Sequence, residues 1–419
     1  VTDPAARALL KRLGTFLDQF AGCFGRRAQR TYASRYVQGL LNDSERKSMQ
    51  PMHGRLSDPG DYQGLQHFIT HSSWEVRPFW RRLRERLPIR QGILAVDDTG
   101  FPKQGKASVG VQRQYCGALG KIGNCQVAVS TALIADGLAW PTSLELYLPQ
   151  DWIDDEARRT AARIPPSMGF REKWRIALAH VRTVQHAGLA IDAVVADTAY
   201  GQVAAFRAGL ERLGLRYVLA VPYYLSARVT PGLPGESVAA IANGLAPSAW
   251  QRVRWATGTK GPLVARFAAI RVRPPKSRAE RWLLCEESLV DGERKYYFSN
   301  QPIDTPLRTL VALARSRWAI EVQYRDFKTE LGLDHFEGRS YPGWNHHAVL
   351  AAMTFLFLQR ERRRRTDPLP TFPEVRNLLR EVMAALSFIE RPQWLKLGLS
   401  RRLLKFSGGS VDILRDVRG

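Results

Sequence analysis

Three acidic positions sit where a carboxylate serves chemistry better than solubility. Ile93-Leu94-Ala95-Val96 is an unbroken apolar run that stops at Asp97-Asp98-Thr99, and Val194-Val195-Ala196 stops in the same way at Asp197-Thr198. Consecutive apolar residues read as a strand buried on both faces, and a strand tip is a rigid place to hold an acid. The third position, Glu321, lies in a helical stretch, Arg315-Ser316-Arg317-Trp318-Ala319-Ile320-Glu321, within a basic and aromatic setting. Carboxylates are hard oxygen ligands. Three of them from two strands and a helix would hold two divalent cations ~3.5–4 Å apart, where both the attacking and the leaving oxygen of a phosphodiester displacement are stabilised.

Each acid also has a plainer account. Asp98 could cap a turn or a helix start, Asp197 could cap a helix beginning at Thr198, and Glu321 could pair with Arg317 one helical turn earlier. Asp97 competes with Asp98 for the first position, because adjacent strand residues point to opposite faces. The Asp98-Thr99 step matches Asp197-Thr198 and favours Asp98.

The charge balance says what such a site would act on. Lys+Arg 62 against Asp+Glu 39 gives a net charge of +23 in 419 residues. That excess repels itself unless something anionic neutralises it, and nucleic acid is the usual partner. Four cysteines, at 23, 116, 125 and 285, form no C-x-x-C pair. They point to no zinc site and to a reducing interior. No signal peptide pattern opens the sequence, and the apolar run 348–358 is short of the ~20 residues a membrane-spanning helix needs. The expected setting is therefore the cytoplasm, with no membrane partner. Gly117, Gly120 and Gly123 have the wrong spacing for a nucleotide fingerprint, and there is no P-loop, so no nucleotide is expected. The eight histidines form no metal pattern, and His346-His347 reads as a helix start.

The elements that would position the acids fall into five segments. Residues 1–90 read as a helical, basic DNA-binding domain with Arg26, Arg27 and Arg30 interleaved with Tyr32 and Tyr36. Residues 91–221 carry the first strand, an antiparallel meander through 124–134, a helix over 171–186, the second acidic strand, and a further helix and strand. Residues 222–302 read as a β-rich insertion domain, basic through Arg252, Arg254, Arg266, Arg271, Arg273 and Lys276. Residues 303–365 return to helices, with a loop at Tyr341-Pro342-Gly343-Trp344 and a basic run from Arg360 to Arg365. Residues 366–419 are a helical basic tail. Antiparallel strands, a helix, then strand–helix–strand predict an α/β fold with a mixed sheet flanked by helices.

These residues carry a resemblance. The segment Val96-Asp97-Asp98-Thr99-Gly100-Phe101-Pro102-Lys103, the stretch from Gln114-Tyr115-Cys116-Gly117 to Gly123-Asn124-Cys125-Gln126, and the Ala196-Asp197 strand resemble bacterial insertion-sequence transposases of the DDE type over residues 90 to 350. The resemblance implies an RNase H-like core and, for one subgroup, a Y-(2)-R-(3)-E-(6)-K signature with a β-rich insertion before the glutamate. Arg317, Glu321 and Lys328 match that spacing, whereas Ala314 stands at the tyrosine position. It further implies that Asp98, Asp197 and Glu321 are the catalytic metal ligands, for two Mg²⁺ ions with Mn²⁺ as a substitute. Arg317 and Lys328 would grip phosphate, and Trp318 and Tyr324 would stack on or wedge against an unpaired base, with core packing the plainer role for Trp318. Arg325, Lys103, Arg113 and Arg254 complete the expected DNA contacts. The implied activity is cleavage at terminal inverted repeats of double-stranded DNA followed by 3′-OH transfer into target DNA, by a homodimer. The rivals are a nuclease that cuts without joining and a non-catalytic DNA-binding regulator.

Overall fold

The computed structural model describes residues 4–42, 44–56, 58–230, 232–258, 261–275, 277, 279–364 and 369–390. Lys276, Arg365 and the tail beyond residue 390 lie outside the described residues. Two contact-dense units divide the chain, one taking the residues up to 68 and from 357 onward, the other residues 69–356.

The second unit is built on β1 (Gln91–Pro102), whose residues Leu94, Ala95 and Val96 are fully buried because both faces of the strand are covered. β2 (Gln112–Cys116) and β3 (Lys121–Ala135) form a hairpin, and β4 (Leu138–Leu146) follows. β3 pairs antiparallel with β1 on one side, and with both β2 and β4 on the other. Two short helices, α6 (Gln150–Asp154) and α7 (Glu156–Ala162), precede α8 (Lys173–His186). β5 (Ala190–Ala196) and β6 (Tyr217–Val221) then add to the sheet, parallel to β1 and to each other, with α9 (Thr198–Gly201) and α10 (Ala204–Arg212) between them. With the β2 hairpin set aside, the spatial order β4-β3-β1-β5-β6 reads third, second, first, fourth, fifth along the chain. This is the mixed sheet flanked by helices that the sequence predicts, in the RNase H-like order that the resemblance implies.

The stretch 222–302 departs from a separate β module. After the short pair β7 (Ser226–Ala227) and β8 (Glu236–Ser237) and helix α11 (Val238–Asn243), strands β9 (Gln251–Gly258), β10 (Gly261–Val272), β11 (Arg281–Ser288) and β12 (Arg294–Ser299) continue the main sheet. β12 pairs antiparallel with β6, using the edge that the five-strand core would otherwise leave bare. The result is one ten-stranded sheet.

The last helices of this unit carry the third acid. α12 (Leu307–Ser316) and α13 (Trp318–Leu331) are separated only by Arg317. α12 packs Leu310, Val311 and Ala314 against the sheet, and α13 adds Ile320 and Tyr324 to the same apolar cluster. α14 (Tyr341–Arg363) begins at the segment expected as a loop. Pro342 is tolerated there because the first turn of a helix leaves its N–H groups unpaired in any case.

The helices read as one module over 1–90 divide at residue 68. α5 (Arg77–Glu85) belongs with the sheet and packs on β4. The other unit holds α1 (Pro4–Asp18), α2 (Arg27–Leu41), α3 (Met49–His53), most of α4 (Tyr62–Thr70) and α15 (Phe372–Glu390). α1 buries Leu9, Leu13 and Phe16, the stripe its helical spacing foretells. α2 leaves Arg26, Arg27 and Arg30 exposed, and a groove of about 520 Å³ runs past Arg27, Arg30, Ser34, Arg35 and Asp58. Among the described residues no helix is long and apolar enough to cross a membrane.

Candidate active site

Register decides which acids meet. At the start of the parallel pair, Gly92 lies opposite Ile191; an irregularity follows, and Ile93 lies opposite Ala193. The pairing then runs to Val96 opposite Ala196, so one step further on Asp97 is level with Asp197. Had the first offset continued, Asp98 would have met Asp197, as the matching Asp-Thr steps suggest. A single extra residue in β5 moves the match by one place and so to the other face.

The two neighbours on β1 consequently face different surroundings. Asp97 is buried and accepts a hydrogen bond from Arg317 through Oδ2 at 2.6 Å. The same guanidinium donates to Glu321, one turn along α13. Asp98 turns toward α8, where its Oδ2 accepts from Lys173 at 2.6 Å and its Oδ1 accepts from the Tyr200 hydroxyl. Asp197 caps α9, its Oδ1 accepting from the Ala199 amide at 3.0 Å and from that of Tyr200 at 3.4 Å. The capping and ion-pairing roles that the sequence allows these acids are thus present in the fold. Gly201 lets α9 lie this close to the sheet, since a Cβ there would stand 1.9 Å from the Ala220 carbonyl oxygen.

The electrostatics reflect crowded, desolvated acids. Burial pushes the Asp97 carboxyl up to about 8; Arg317 opposes the rise, and Asp197 adds to it. Burial and the neighbouring Asp98 also raise Asp197. Arg317 is held above its usual value, because the acids Asp97, Glu321 and Asp197 outweigh the effect of its burial. Like charges gathered in a low-dielectric place keep their protons unless a cation offsets them. Among the described residues no group of three or more acids, histidines or cysteines is arranged to hold a metal ion, and a guanidinium links two of the acids instead. The donor chemistry nonetheless suits a hard divalent cation: carboxylate oxygens, partly desolvated, in mutual repulsion.

The other expected contacts sort by exposure. Trp318 is 66% exposed, so core packing is not its role. It shares an open stripe of α13 with Glu321, Arg325 and Thr329 at helical spacing. Tyr324 departs from the stacking role: it is buried, and its hydroxyl pairs with that of Ser130. Lys328 donates to the Gly100 carbonyl at 2.8 Å and lies over the Phe101 ring, so its amine serves the protein interior. Lys103 donates to the Phe336 carbonyl at 2.7 Å. Arg113 and Arg254 are exposed on β2 and β9. Ala314, at the tyrosine position of the signature, packs in the core. His346 is buried and stacked on Trp74, and burial pushes His347 down to about 4, so both are structural. Lys173 and Tyr200 were not singled out from sequence. The Tyr in Asp197-Thr198-Ala199-Tyr200-Gly201 was the available signal, since a side chain three residues past a strand tip folds back toward it through the first helical turn.

Comparison with known proteins places this geometry. A model described as DDE superfamily endonuclease matches residues 19–262, more than half of the chain, and one described as transposase DDE domain matches residues 175–357. A probable transposase for insertion sequence element IS701 from Microchaete diplosiphon is 28% identical over 316 residues, covering 73% of this chain and 76% of that protein. The cryo-EM structure of the piggyBac transposase synaptic complex with hairpin DNA covers 92% of this chain and 78% of its own, with 10% identity and a TM-score of 0.46. Proteins of the DDE transposase family generally use divalent metal ions. With acids at the tips of two parallel strands and a third on the helix beside them, and with the family model matching more than half of this chain, the chain belongs to the DDE superfamily endonucleases and is a transposase.

Proposed function

We propose that this transposase cuts double-stranded DNA at the terminal inverted repeats of a mobile element and joins the freed 3′-OH to target DNA, with Asp97, Asp197 and Glu321 as the metal-holding acids. The observation that carries the choice of Asp97 over Asp98 is the link from Asp97 through Arg317 to Glu321, on the face where Asp97 is level with Asp197. The carboxylates would hold two Mg²⁺ ions, with Mn²⁺ able to substitute. Such ions supply charge stabilisation on the attacking and leaving oxygens of an in-line displacement.

The chain's own residues do the rest. Arg317 bridges Asp97 and Glu321 and is the cation nearest a phosphate entering between them; once the acids are otherwise neutralised, its guanidinium is released to bind phosphate oxygens. Lys173 and Tyr200 fix Asp98 behind the strand, which stiffens the tip that presents Asp97. The open stripe of α13 offers Trp318 as a stacking platform and Arg325 as a backbone contact. Exposed Arg26, Arg27 and Arg30 at the start of α2 also contact duplex DNA. Two element ends must be processed together, so the working form is a homodimer on DNA.

The test is incubation of the full chain with linear DNA bearing the element's ends and either Mg²⁺ or Mn²⁺. Joined products support transposition; cleavage without joining identifies a nuclease; binding without cleavage identifies a regulator. Glu321→Gln should abolish cleavage and leave DNA binding intact, and loss of binding together with folding would show that this acid is structural.

A further inference from the structure

The β2–β3 hairpin exposes apolar side chains that nothing in the chemistry just described requires. Tyr115 is 65% exposed and Ile122 is 60% exposed, and the two lie directly opposite each other across the hairpin, with Leu119 exposed in the turn between them. This end of β3 projects past β1, whose last residue, Pro102, pairs with Cys125. From Thr99 to Ala135 the chain carries Lys103, Lys106, Arg113 and Lys121 and no acidic residue. An apolar tip on a hairpin whose own charged side chains are all basic fits a polyanion that also has flat apolar surface to offer, namely DNA with an unstacked base step. Two copies of so basic a hairpin would repel each other.

Strand register ties the hairpin to the acids. Residues opposite each other in an antiparallel pair share a face, and every second residue of a strand returns to that face. Asp97 is opposite Ser130; from there Ala128, Gln126, Asn124 and Ile122 follow on the same face, and Ile122 is opposite Tyr115, with Arg113 two residues before it. Asn124 anchors this end by donating to the carbonyls of Lys103 at 2.7 Å and Gly105 at 2.9 Å. α13 runs the same way: Arg317 reaches Asp97, and Lys328 reaches Gly100, further toward the hairpin. The exposed stripe Trp318, Glu321, Arg325 and Thr329 therefore leads from the acids toward Tyr115. The strand between Ser130 and Ile122 spans about 27 Å at ~3.4 Å per residue. At ~3.4 Å per base pair that is about eight base pairs.

We infer that this hairpin is a second DNA-engaging element, with Tyr115 and Ile122 seated on an unstacked base step about eight base pairs from the phosphate that is cut. The inference rests on the transposase reading. Arg113 and Lys121 hold the flanking backbone, and the apolar pair takes up base surface that a closed duplex keeps stacked.

The experiment measures dissociation constants of the full-length protein for a perfect 30-base-pair duplex and for the same duplex with a two-nucleotide bulge. The expected result is about tenfold tighter binding of the bulged duplex, lost in Tyr115→Ala/Ile122→Ser while affinity for the perfect duplex stays unchanged. Arg113→Glu should weaken both duplexes alike. With element-end DNA, 2-aminopurine placed about eight base pairs from the cut should brighten on binding to the wild type and stay dark with the double variant. Equal behaviour of double variant and wild type in both assays would overturn the inference, with the transposase reading standing if both still cut DNA. Loss of dimer in the double variant by sedimentation, with the bulge preference kept, would assign the tip to a second copy and also overturn it. A wild type that neither binds nor cuts DNA would sink the reading beneath.

Discussion

Asp97 and Asp98 are neighbours on one strand, yet they live in opposite environments. Asp97 faces α13, deeply buried, with one guanidinium shared between it and Glu321. Asp98 faces α8 and is matched by an amine and a hydroxyl of its own, Lys173 and Tyr200. The difference teaches that adjacent acids on one strand can be satisfied in different ways, one by its own partners and one by a shared cation. Both acids have both oxygens hydrogen-bonded, since Asp97 also accepts from the Asp98 amide through Oδ1 at 2.8 Å; what differs is that Asp98 has its cation, Lys173, to itself, whereas Asp97 shares Arg317 with Glu321. On the proposed reading, Asp97 is the metal-holding carboxylate and Asp98 its brace.

The harshest way to break this comparison is to remove each charge in turn. Asp97→Asn and Asp197→Asn should each lower the cleavage rate by ~10³-fold or more, since several kcal/mol of charge stabilisation go with a metal-holding oxygen. Asp98→Asn should cost only ~10–100-fold, the effect of losing a supporting contact behind the ligands. Gel-based cleavage of end-bearing DNA under single-turnover conditions measures both. The reverse ranking would move the site to the α8 face.

Stability against pH probes the same asymmetry without DNA. The folded Asp97 carboxyl titrates near 8, against an ordinary unfolded value of ~3.9. Between those values the native state holds a proton that the unfolded chain has given up, so this carboxyl's contribution to stability declines as pH rises from about 4 to about 8. Buried His346 and His347, held below the ordinary ~6.5, work the other way up to about pH 6.5, so the wild-type Tm should fall from about pH 6.5 to about 8, and Asp97→Asn should flatten that part of the profile. Added Mg²⁺ should raise Tm more at pH 8 than at pH 5, because at the lower pH a proton competes for the same oxygen. A Tm insensitive to Mg²⁺ at pH 8 would count against Asp97 as a ligand. Asp98→Asn should leave the cation dependence in place.

Much of this was open to a reader of the sequence. The apolar runs ending in acids, the change from strands to helices near residue 303 and the arginine one turn before Glu321 are local patterns, and local patterns survive folding. What could not be read was the register between β1 and β5. Counting from Gly92 opposite Ile191 brings Asp98 level with Asp197, and only the irregularity after Gly92 makes it Asp97. No composition or periodicity marks that extra residue. The same limit hid the fate of 222–302: its β-rich character was legible, but a free edge at β6 able to accept β12 is a property of the assembled sheet. Tyr324 and Trp318 were legible as aromatics beside Glu321. Which one is buried depends on the side of α13 that meets the sheet, and that followed once Ile320 and Tyr324 joined the core cluster.

A finer test contrasts the two cations of the helix, Arg317 and Lys328. Arg317 holds acids at the site and Lys328 holds a carbonyl inside the sheet. Each backbone phosphate neutralised by a protein cation steepens the salt dependence of DNA binding by roughly one unit of slope. Arg317→Ala should therefore make the plot of log affinity against log salt shallower by about one. Lys328→Ala should leave the slope as it is and cost stability, about 1.5–3 kcal/mol for a hydrogen bond made by a charged group. A shallower slope for Lys328→Ala would mean that the amine leaves Gly100 when DNA arrives.

The smallest expected effect belongs to the brace. Tyr200→Phe keeps the buried ring and removes only the hydroxyl that donates to Asp98. Burial, and then the charge of Asp98, hold that phenol far above its ordinary titration range, so it stays a donor at any working pH. Removing it leaves Asp98 with Lys173, and a net loss of about 1 kcal/mol in stability follows from one such bond. If Asp98 is only a brace, the cleavage rate should fall by less than about tenfold and the Mg²⁺ concentration for half-maximal cleavage should hardly move, because a brace acts through position. Lys173→Met takes away the remaining partner, so combining it with Tyr200→Phe should cost more than the two single changes added together, as coupled contacts on a shared group do. Strict additivity, or a Mg²⁺ requirement that rises tenfold in Tyr200→Phe alone, would show Asp98 acting on the cation directly and dissolve the distinction between the two acids.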